Sequence, residues 1–473
     1  MKKVRKRNKR KTIYKLLLLA IALIGALTIF AAVQRMSMKG EIFGDLAESE
    51  LFVTVAVFLW LIPILLILLI PAILISGWRA GKKSHESEAE TESRVSIEAE
   101  TPSAQSVGKT GESGAERFCM LSGIDRNREN YGHRSYDKGM TLESFCEDFR
   151  NFAASKLKLY YDIGDIRRFV SGLAVSRLVI LQGMSGTGKT SLAHAFGAFT
   201  DNPATVIPVQ PMWKERTDLI GYYNEFTKRF NETLLLEKMY EANYSSDMYV
   251  TVLDEMNIAR VEYYFAEFLS LLELPDPNER YIEVVSDKWE NDPVQLRDGR
   301  LRLPENMWFI GTANNDDSTF AISDKVYDRA MILNLESKCE RFSAPKTEPK
   351  PISSARFGAL VEHAMREYGV SRRNMKRLEA LDQYLIEHFH MTFGNRIMKQ
   401  IREYIAVYVS CGGTEICALD DILAKKVIRK LETQNPIYLR NAAEGLLAFI
   451  DELFGADKMP LCKEYIRRLQ RNA

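Results

Sequence analysis

The stretch Gly183-Met184-Ser185-Gly186-Thr187-Gly188-Lys189-Thr190 has the spacing G-x-x-x-x-G-K-[ST], a pattern whose chemistry is phosphate binding. Gly183, Gly186 and Gly188 let backbone N–H groups face an anion, and a following helix would turn its positive dipole end toward it. Lys189 then reaches the β- and γ-phosphates of a nucleoside triphosphate and Thr190 ligates Mg²⁺, with Ser185, Thr187 and Ser191 completing the cradle. The plain alternative is a glycine-rich turn in front of an ordinary helix. A second Gly108-Lys109-Thr110 imitates the end of the motif, but Ser103 stands where its first glycine would be and no apolar strand precedes it.

Three further groups fit the same chemistry. An apolar run from Met248 to Leu253 ends in Asp254-Glu255, a pattern in which Asp254 holds Mg²⁺ through water and Glu255 polarises the attacking water. Met307 to Gly311 leads into Thr312-Ala313-Asn314-Asn315, where a polar amide could sense the γ-phosphate and the nucleophilic water; Asn314 is the first choice and Asn315 the second, against a simple turn asparagine. Arg329 lies just before a strand-like run from Met331 to Leu335. There it could reach a neighbouring subunit's γ-phosphate as a finger, or simply pair with Asp328 on the surface.

These positions dictate the scaffold. Four apolar runs, starting with Arg177–Gln182 and Thr205–Val209, place polar residues at their C-terminal ends, as in an open parallel α/β sheet that gathers ligands at its strand tips. A helix over Ser191–Phe199 should follow the glycine loop. Six scattered cysteines lack zinc spacing and read as reduced thiols, and the histidines have no metal spacing. No Ser-His-Asp arrangement or nuclease-like acid cluster stands out.

The chain has 473 residues with 64 Lys and Arg against 63 Asp and Glu, but the charge is unevenly placed. Residues 1–15 carry nine Lys or Arg and no acid. Residues 16–33 and 51–75 are uncharged and close to the roughly 20 apolar residues that a membrane-spanning helix needs. The rival for the first is a cleaved signal peptide, although its apolar stretch exceeds the usual h-region of about 7–15 residues. Basic residues before the first span and after the second (Arg79, Lys82, Lys83), with an acidic loop over 34–50, place both termini on the cytoplasmic side of a plasma membrane. Topogenic charge accounts for the basic tail, so direct nucleic-acid binding is not supported. Residues 76–117, rich in Ser, Glu, Thr and Gly, read as a flexible linker.

Together the four strand ends resemble the AAA+ ATPases, in the branch of McrB-like, MoxR-like and dynein/midasin-related proteins. The resemblance runs from about Leu142 to Glu432 and is carried by Asp218-Leu-Ile-Gly-Tyr-Tyr, Leu253-Asp-Glu-Met-Asn-Ile-Ala, Phe309-Ile-Gly-Thr-Ala-Asn and Asp328-Arg329, beyond the glycine loop. It implies an α/β core over 118–340, an inserted hairpin between Leu274 and Leu303 and a helical lid over 355–432; beyond it, residues 433–473 read as a C-terminal helical extension that extends the lid or binds a partner. It also implies that Arg396, in Phe393-Gly-Asn-Arg396, is the sensor-2 arginine, against a solvated helix arginine. Arg260 is expected to contact a neighbouring subunit, and Trp213, Tyr222 and Tyr223 either face a ring's pore or pack. The chain departs from McrB-like proteins in having apolar spans before the motor, and in Ala313 and Ser318 where their GTP-associated segment has Met and Arg. ATP is therefore the expected nucleotide and GTP the alternative. The resemblance implies a ring, a hexamer, acting on a separately encoded effector in a restriction-like or defence module. A MoxR-like chaperone of a membrane complex and an assembly scaffold with little turnover are the rivals.

Overall fold

A computed structural model describes residues 116–472 except 132–134, 138, 315–318 and 336–338. The proposed membrane spans, most of the linker, the second glycine-lysine motif, Asn315 and Ser318 lie outside the described residues. No described helix is long and apolar enough to cross a membrane.

Five parallel strands form the central sheet: β1 (Leu178–Gly183), β2 (Thr205–Pro208), β5 (Tyr249–Asp254), β8 (Met307–Asn314) and β9 (Met331–Asn334), in the order β2-β5-β8-β1-β9. This is the parallel α/β sheet that the sequence pattern called for. β1 is apolar on both faces, as a strand covered on both sides must be. Val179 and Leu181 enter one core with Phe149, Phe169 and Phe196, while Leu178 and Ile180 enter a second with Phe268, Met256 and Tyr240. Two hairpins leave this frame: β3 (Gly221–Asn224) with β4 (Arg229–Glu232), and β6 (Tyr281–Glu283) with β7 (Arg300–Arg302), the latter inside the expected insert.

Short helices begin with α1 (Met120–Arg126). On the first core face lie α2 (Leu142–Leu157), α3 (Ile163–Val175) and α4 (Lys189–Phe199); Thr141 caps α2 through a reciprocal bond with Ser144. The opposite face carries α5 (Thr217–Ile220), α6 (Leu234–Ala242), α7 (Val261–Tyr264) and α8 (Ala266–Leu271), and α9 (Asp324–Tyr327) leads into β9. Six helices complete the chain: α10 (Ser354–Glu367), α11 (Arg372–Phe389), α12 (Asn395–Ser410), α13 (Glu415–Lys426), α14 (Pro436–Phe454) and α15 (Pro460–Asn472). α10 to α15 bury apolar residues such as Phe357, Leu385, Ile401, Leu419, Leu446 and Ile466 in the first core, so they dock on the α/β core rather than hang from it.

A buried charge cluster fixes that docking. Asp421 on α13 accepts from Tyr404 Oη at 2.6 Å and Lys425 Nζ at 2.5 Å, and pairs with Arg168 Nε of α3 at 3.1 Å. Each charge in this set has a partner, which a buried ion requires.

Candidate active site

The glycine loop sits where the strand order reverses, between β8 and β9 at the C-terminal end of β1. Gly183 has φ +147°, and a Cβ there would stand 2.3 Å from the Leu335 carbonyl oxygen. Only glycine lets β9 close against the loop, which it does through Leu335 N donating to Gln182 O at 2.8 Å. The helix α4 starts directly from the loop with Gly188 as a left-handed N-cap and no side-chain cap, so its first N–H groups are presented to the loop. Tyr161 Oη braces the loop by donating to Gly188 O at 3.1 Å. Lys189 is 7 % exposed and donates to the carbonyls of Gly183 at 3.0 Å and Met184 at 2.8 Å. Ser185 and Gly186 are exposed on the loop, Thr187 donates to Met184 O at 3.0 Å, and Ser191 lies half-buried in the first turn of α4.

Asp254 and Glu255 arrive at the tip of β5, adjacent to this loop. Asp254 Oδ1 accepts from both Thr190 Oγ1 and Thr312 Oγ1, each at 2.8 Å. A hydroxyl and a carboxylate oxygen at that separation are hard donors suited to Mg²⁺, so the residues present fit that ion. Glu255 is exposed, and its carboxylate receives no hydrogen bond from any described residue. Its backbone is left-handed, φ 52° and ψ 46°, a conformation that costs about 1–2 kcal/mol for a residue with a Cβ. Strain of this kind gathers at functional sites. Here its N–H is held by Thr312 Oγ1 at 2.9 Å.

The sensor strand runs farther than its apolar run suggested. β8 continues through Asn314, because Gly183 pairs in register with Asn314. The Asn314 side chain makes no hydrogen bond to a described residue, and it lines a cavity of about 940 Å³ with Gln182, Gly183, Met184 and Asn257. Its backbone is clamped by Asn257, whose Nδ2 donates to Asn314 O at 2.9 Å and to Phe320 O at 3.2 Å. The turn carrying Asn257 can approach β8 because residue 311 is glycine; a Cβ there would lie 1.9 Å from Met256 Sδ. Thr312, Asn257 and Tyr161 were not singled out for these roles from the sequence. The threonine's place one residue into a strand tip shared with Asp254 was its only signal, and Tyr161 had none.

The two arginines lie elsewhere. Val179 pairs with Met331, so Arg329 is some six residue steps from Gly183 along the strands, roughly 20 Å at a rise of about 3.3 Å per residue. Arg329 Nη2 pairs with Glu273 Oε2 at 2.7 Å, and Arg396 Nη2 pairs with the other oxygen of that carboxylate, Oε1, at 2.7 Å. Arg396 is thus not brought to its own glycine loop. The alternative for Arg329, a surface pair with Asp328, does not form: Arg329 pairs with Glu273, and Asp328 pairs with Lys430 at 3.0 Å. The segment carrying Arg329 is gripped from the C-terminal helices: Arg429 Nη2 holds Asp324 Oδ1 at 2.8 Å, and Lys426 donates to the carbonyls of Tyr327 (2.7 Å), Asp328 and Ala330. Burial pulls the Lys426 ammonium down to about 7, with Asp328 opposing the shift.

Of the aromatics, Trp213 packs against Tyr264 with ring centroids 5.6 Å apart and Tyr223 against Trp289 at 5.9 Å. Tyr222 is 54 % exposed, and Phe226, in the β3–β4 turn, is 98 % exposed. Arg260 is exposed and lies over the Phe320 ring at 5.0 Å.

Residues 178–330 match the AAA domain of the dynein-related subfamily, and residues 354–473 match a domain of unknown function (DUF8727). No curated protein matches the chain. Among solved structures it is similar to a candidate ATPase from Cytophaga hutchinsonii, with 14 % identity and a TM-score of 0.44 over 69 % of this chain and 97 % of that one. A full-length MCM homolog from Methanopyrus kandleri is similar over 62 % of each chain, with 12 % identity and a TM-score of 0.34. Scores this low carry no functional conclusion. The matched family, the sheet and the glycine loop agree: residues 178–330 are an AAA+ ATPase domain of the dynein-related type, a P-loop nucleotide-binding module.

Proposed function

We propose that this chain is a membrane-anchored AAA+ ATPase that hydrolyses MgATP in a ring and uses the cycle to remodel or activate a separately encoded effector. The observation that carries the reading is the separation of Arg329 from its own P-loop by roughly the length of β1, while Lys189, Asp254, Glu255 and Asn314 gather at the other end. An arginine so placed serves a neighbour's nucleotide, and closing a ring of such head-to-tail contacts supplies every site with one. A hexamer is the ring size proposed.

In that arrangement Lys189 and the N-terminus of α4 bind the phosphates, and Glu255 accepts the proton of the attacking water. Mg²⁺, held by Thr190 and by Asp254, would neutralise charge on the β- and γ-phosphates. Asn314 orients the water from the β8 tip, and Thr312 keeps Asp254 and Glu255 in register with it through its two hydrogen bonds. Exposed Tyr222 and Phe226 on the β3–β4 hairpin offer a grip for a partner chain. The apolar segments 16–33 and 51–75 supply the anchor in the plasma membrane. McrB-like restriction or defence modules and MoxR-like chaperones both fit this plan; the apolar segments ahead of the motor favour a membrane-bound partner.

The test is steady-state phosphate release by the full-length chain in detergent with MgATP and with MgGTP, alongside its sedimentation with and without nucleotide. Turnover with ATP, abolished in Glu255→Gln while binding persists, is expected together with nucleotide-dependent assembly. Nucleotide binding with no turnover in the wild type would replace this reading with an assembly scaffold.

A further inference from the structure

Glu273 is the residue at which three parts of the molecule meet. It follows α8, whose Phe268 packs on Phe309 of β8 with centroids 5.4 Å apart, so its backbone is tied to the strand that carries Asn314. The next residue is pinned as well: Leu274 O accepts from Arg280 Nη2 at 2.6 Å and Nε at 3.1 Å. On this fixed base one carboxylate binds two guanidinium groups, Arg329 from the segment before β9 and Arg396 from the first turn of α12, each at 2.7 Å and each through a single Nη2. The side chain of Glu273 is 28 % exposed, as is that of Arg329, so the group lies at the surface with part of it open.

Two like charges brought to one carboxylate repel each other, and the carboxylate offsets that repulsion while fixing their spacing. A guanidinium has five N–H donors in a planar fork. Using one nitrogen on Glu273 leaves the remaining donors of each arginine for a second anion, and a phosphate accepts such forks bidentately. We propose that Glu273 is a positioning residue: it holds Arg329 and Arg396 side by side so that their free N–H edges meet a phosphate of the neighbouring subunit's nucleotide. The inference rests on the reading that Arg329 acts in trans. Glu273 itself touches no nucleotide; it sets where the arginines stand, and through α8 and β8 it links that placement to the sensor strand of its own subunit.

The experiment uses full-length protomers mixed in detergent. A protomer with Glu255→Gln can donate arginines but not hydrolyse, and one with Arg329→Ala can hydrolyse but not donate; their mixture should be active. Glu273→Gln is then added to one protomer at a time. Placed in the arginine donor, it should lower the rescued kcat by up to about 10²-fold with little change in the KM for ATP, the scale of loss that follows from misplacing a catalytic group by about 1 Å. In the other protomer it should leave the rescue unchanged, and Glu273→Asp in the donor should recover most of it. Equal loss from both protomers would mark a folding role, and no loss, or a gain, from the donor would overturn the proposal. An inactive starting mixture would instead refute the trans reading, and the role of Glu273 with it.

Discussion

The two ends of the central sheet are built on different plans. At the C-terminal ends of β1, β5 and β8, each functional side chain sits on or next to a strand tip, and its neighbours hold it through short hydrogen bonds: Thr190 and Thr312 on Asp254, Thr312 on the Glu255 backbone, Asn257 on Asn314. At the opposite end, Arg329 lies outside the sheet, and it and its segment depend on partners from elsewhere in the chain, Glu273 before it and Lys426, Arg429 and Lys430 after it, while Arg396 shares the Glu273 carboxylate. One end is a rigid phosphate cradle. The other is a charged surface made jointly by the AAA domain and the C-terminal helices. The contrast teaches that the groups at the glycine-loop end are fixed by strand geometry, whereas Arg329 is fixed by ion pairs and hydrogen bonds to segments distant in sequence.

If the ends are separable in this way, substitutions at each should fail differently. Arg329→Ala should reduce kcat by about 10³–10⁵-fold, the span seen for arginine fingers, while nucleotide affinity measured by equilibrium binding stays near wild type. A tenfold or greater loss of affinity instead would put Arg329 in its own site and collapse the distinction. Glu255→Gln should lower kcat by about 10²–10⁴-fold, the typical contribution of a general base, and should retain MgATP tightly enough to trap assembled rings in sedimentation. Asn257→Ala removes the clamp on the sensor strand and strands the backbone groups it satisfied, at about 1–3 kcal/mol of stability. We expect a lower melting temperature together with a fall in kcat; a stability loss alone would mean that Asn314 needs no clamp.

The last effect is at the far end and depends on pH. Lys426 has a folded-state value of about 7, below the 10.5 of the free side chain. A depressed lysine means the unfolded chain binds more protons between those values, so stability rises with pH across that window and is lost as pH falls toward 7. Lys426→Met should flatten the rise in melting temperature between about pH 7 and pH 10. An unchanged slope would show that Lys426 stays charged on its three carbonyls.

What the sequence disclosed divides along the same line. The glycine loop, Asp254-Glu255 and Asn314 were legible because strand tips and helix starts are local features, and a parallel sheet brings its tips together whatever the intervening chain does. The extension of β8 through Asn314 was not, since its last residues are polar and the apolar run stops at Gly311. Asn257 and Thr312 were visible within matched stretches, yet their roles depend on a cross-strand approach that only Gly311 and the register create. Glu273 gave no sign at all: an acid after a short amphipathic helix is an ordinary surface residue until Arg329 and Arg396 are folded onto it. The sequence resemblance makes Arg396 a sensor-2 arginine; its contact with Glu273, which depends on how the C-terminal helices dock, has no local signal.

The central claim is that each hydrolytic site is completed by the opposite end of a neighbouring subunit's sheet. It is tested most directly by mixing two full-length variants, Glu255→Gln and Arg329→Ala, each inactive alone, and measuring steady-state ATP hydrolysis against mixing ratio. Recovered activity that peaks near equal amounts is the result expected, because only junctions with an intact Glu255 on one side and an intact Arg329 on the other can turn over. Mixtures as inactive as the separate variants at every ratio, despite assembly, would contradict the account.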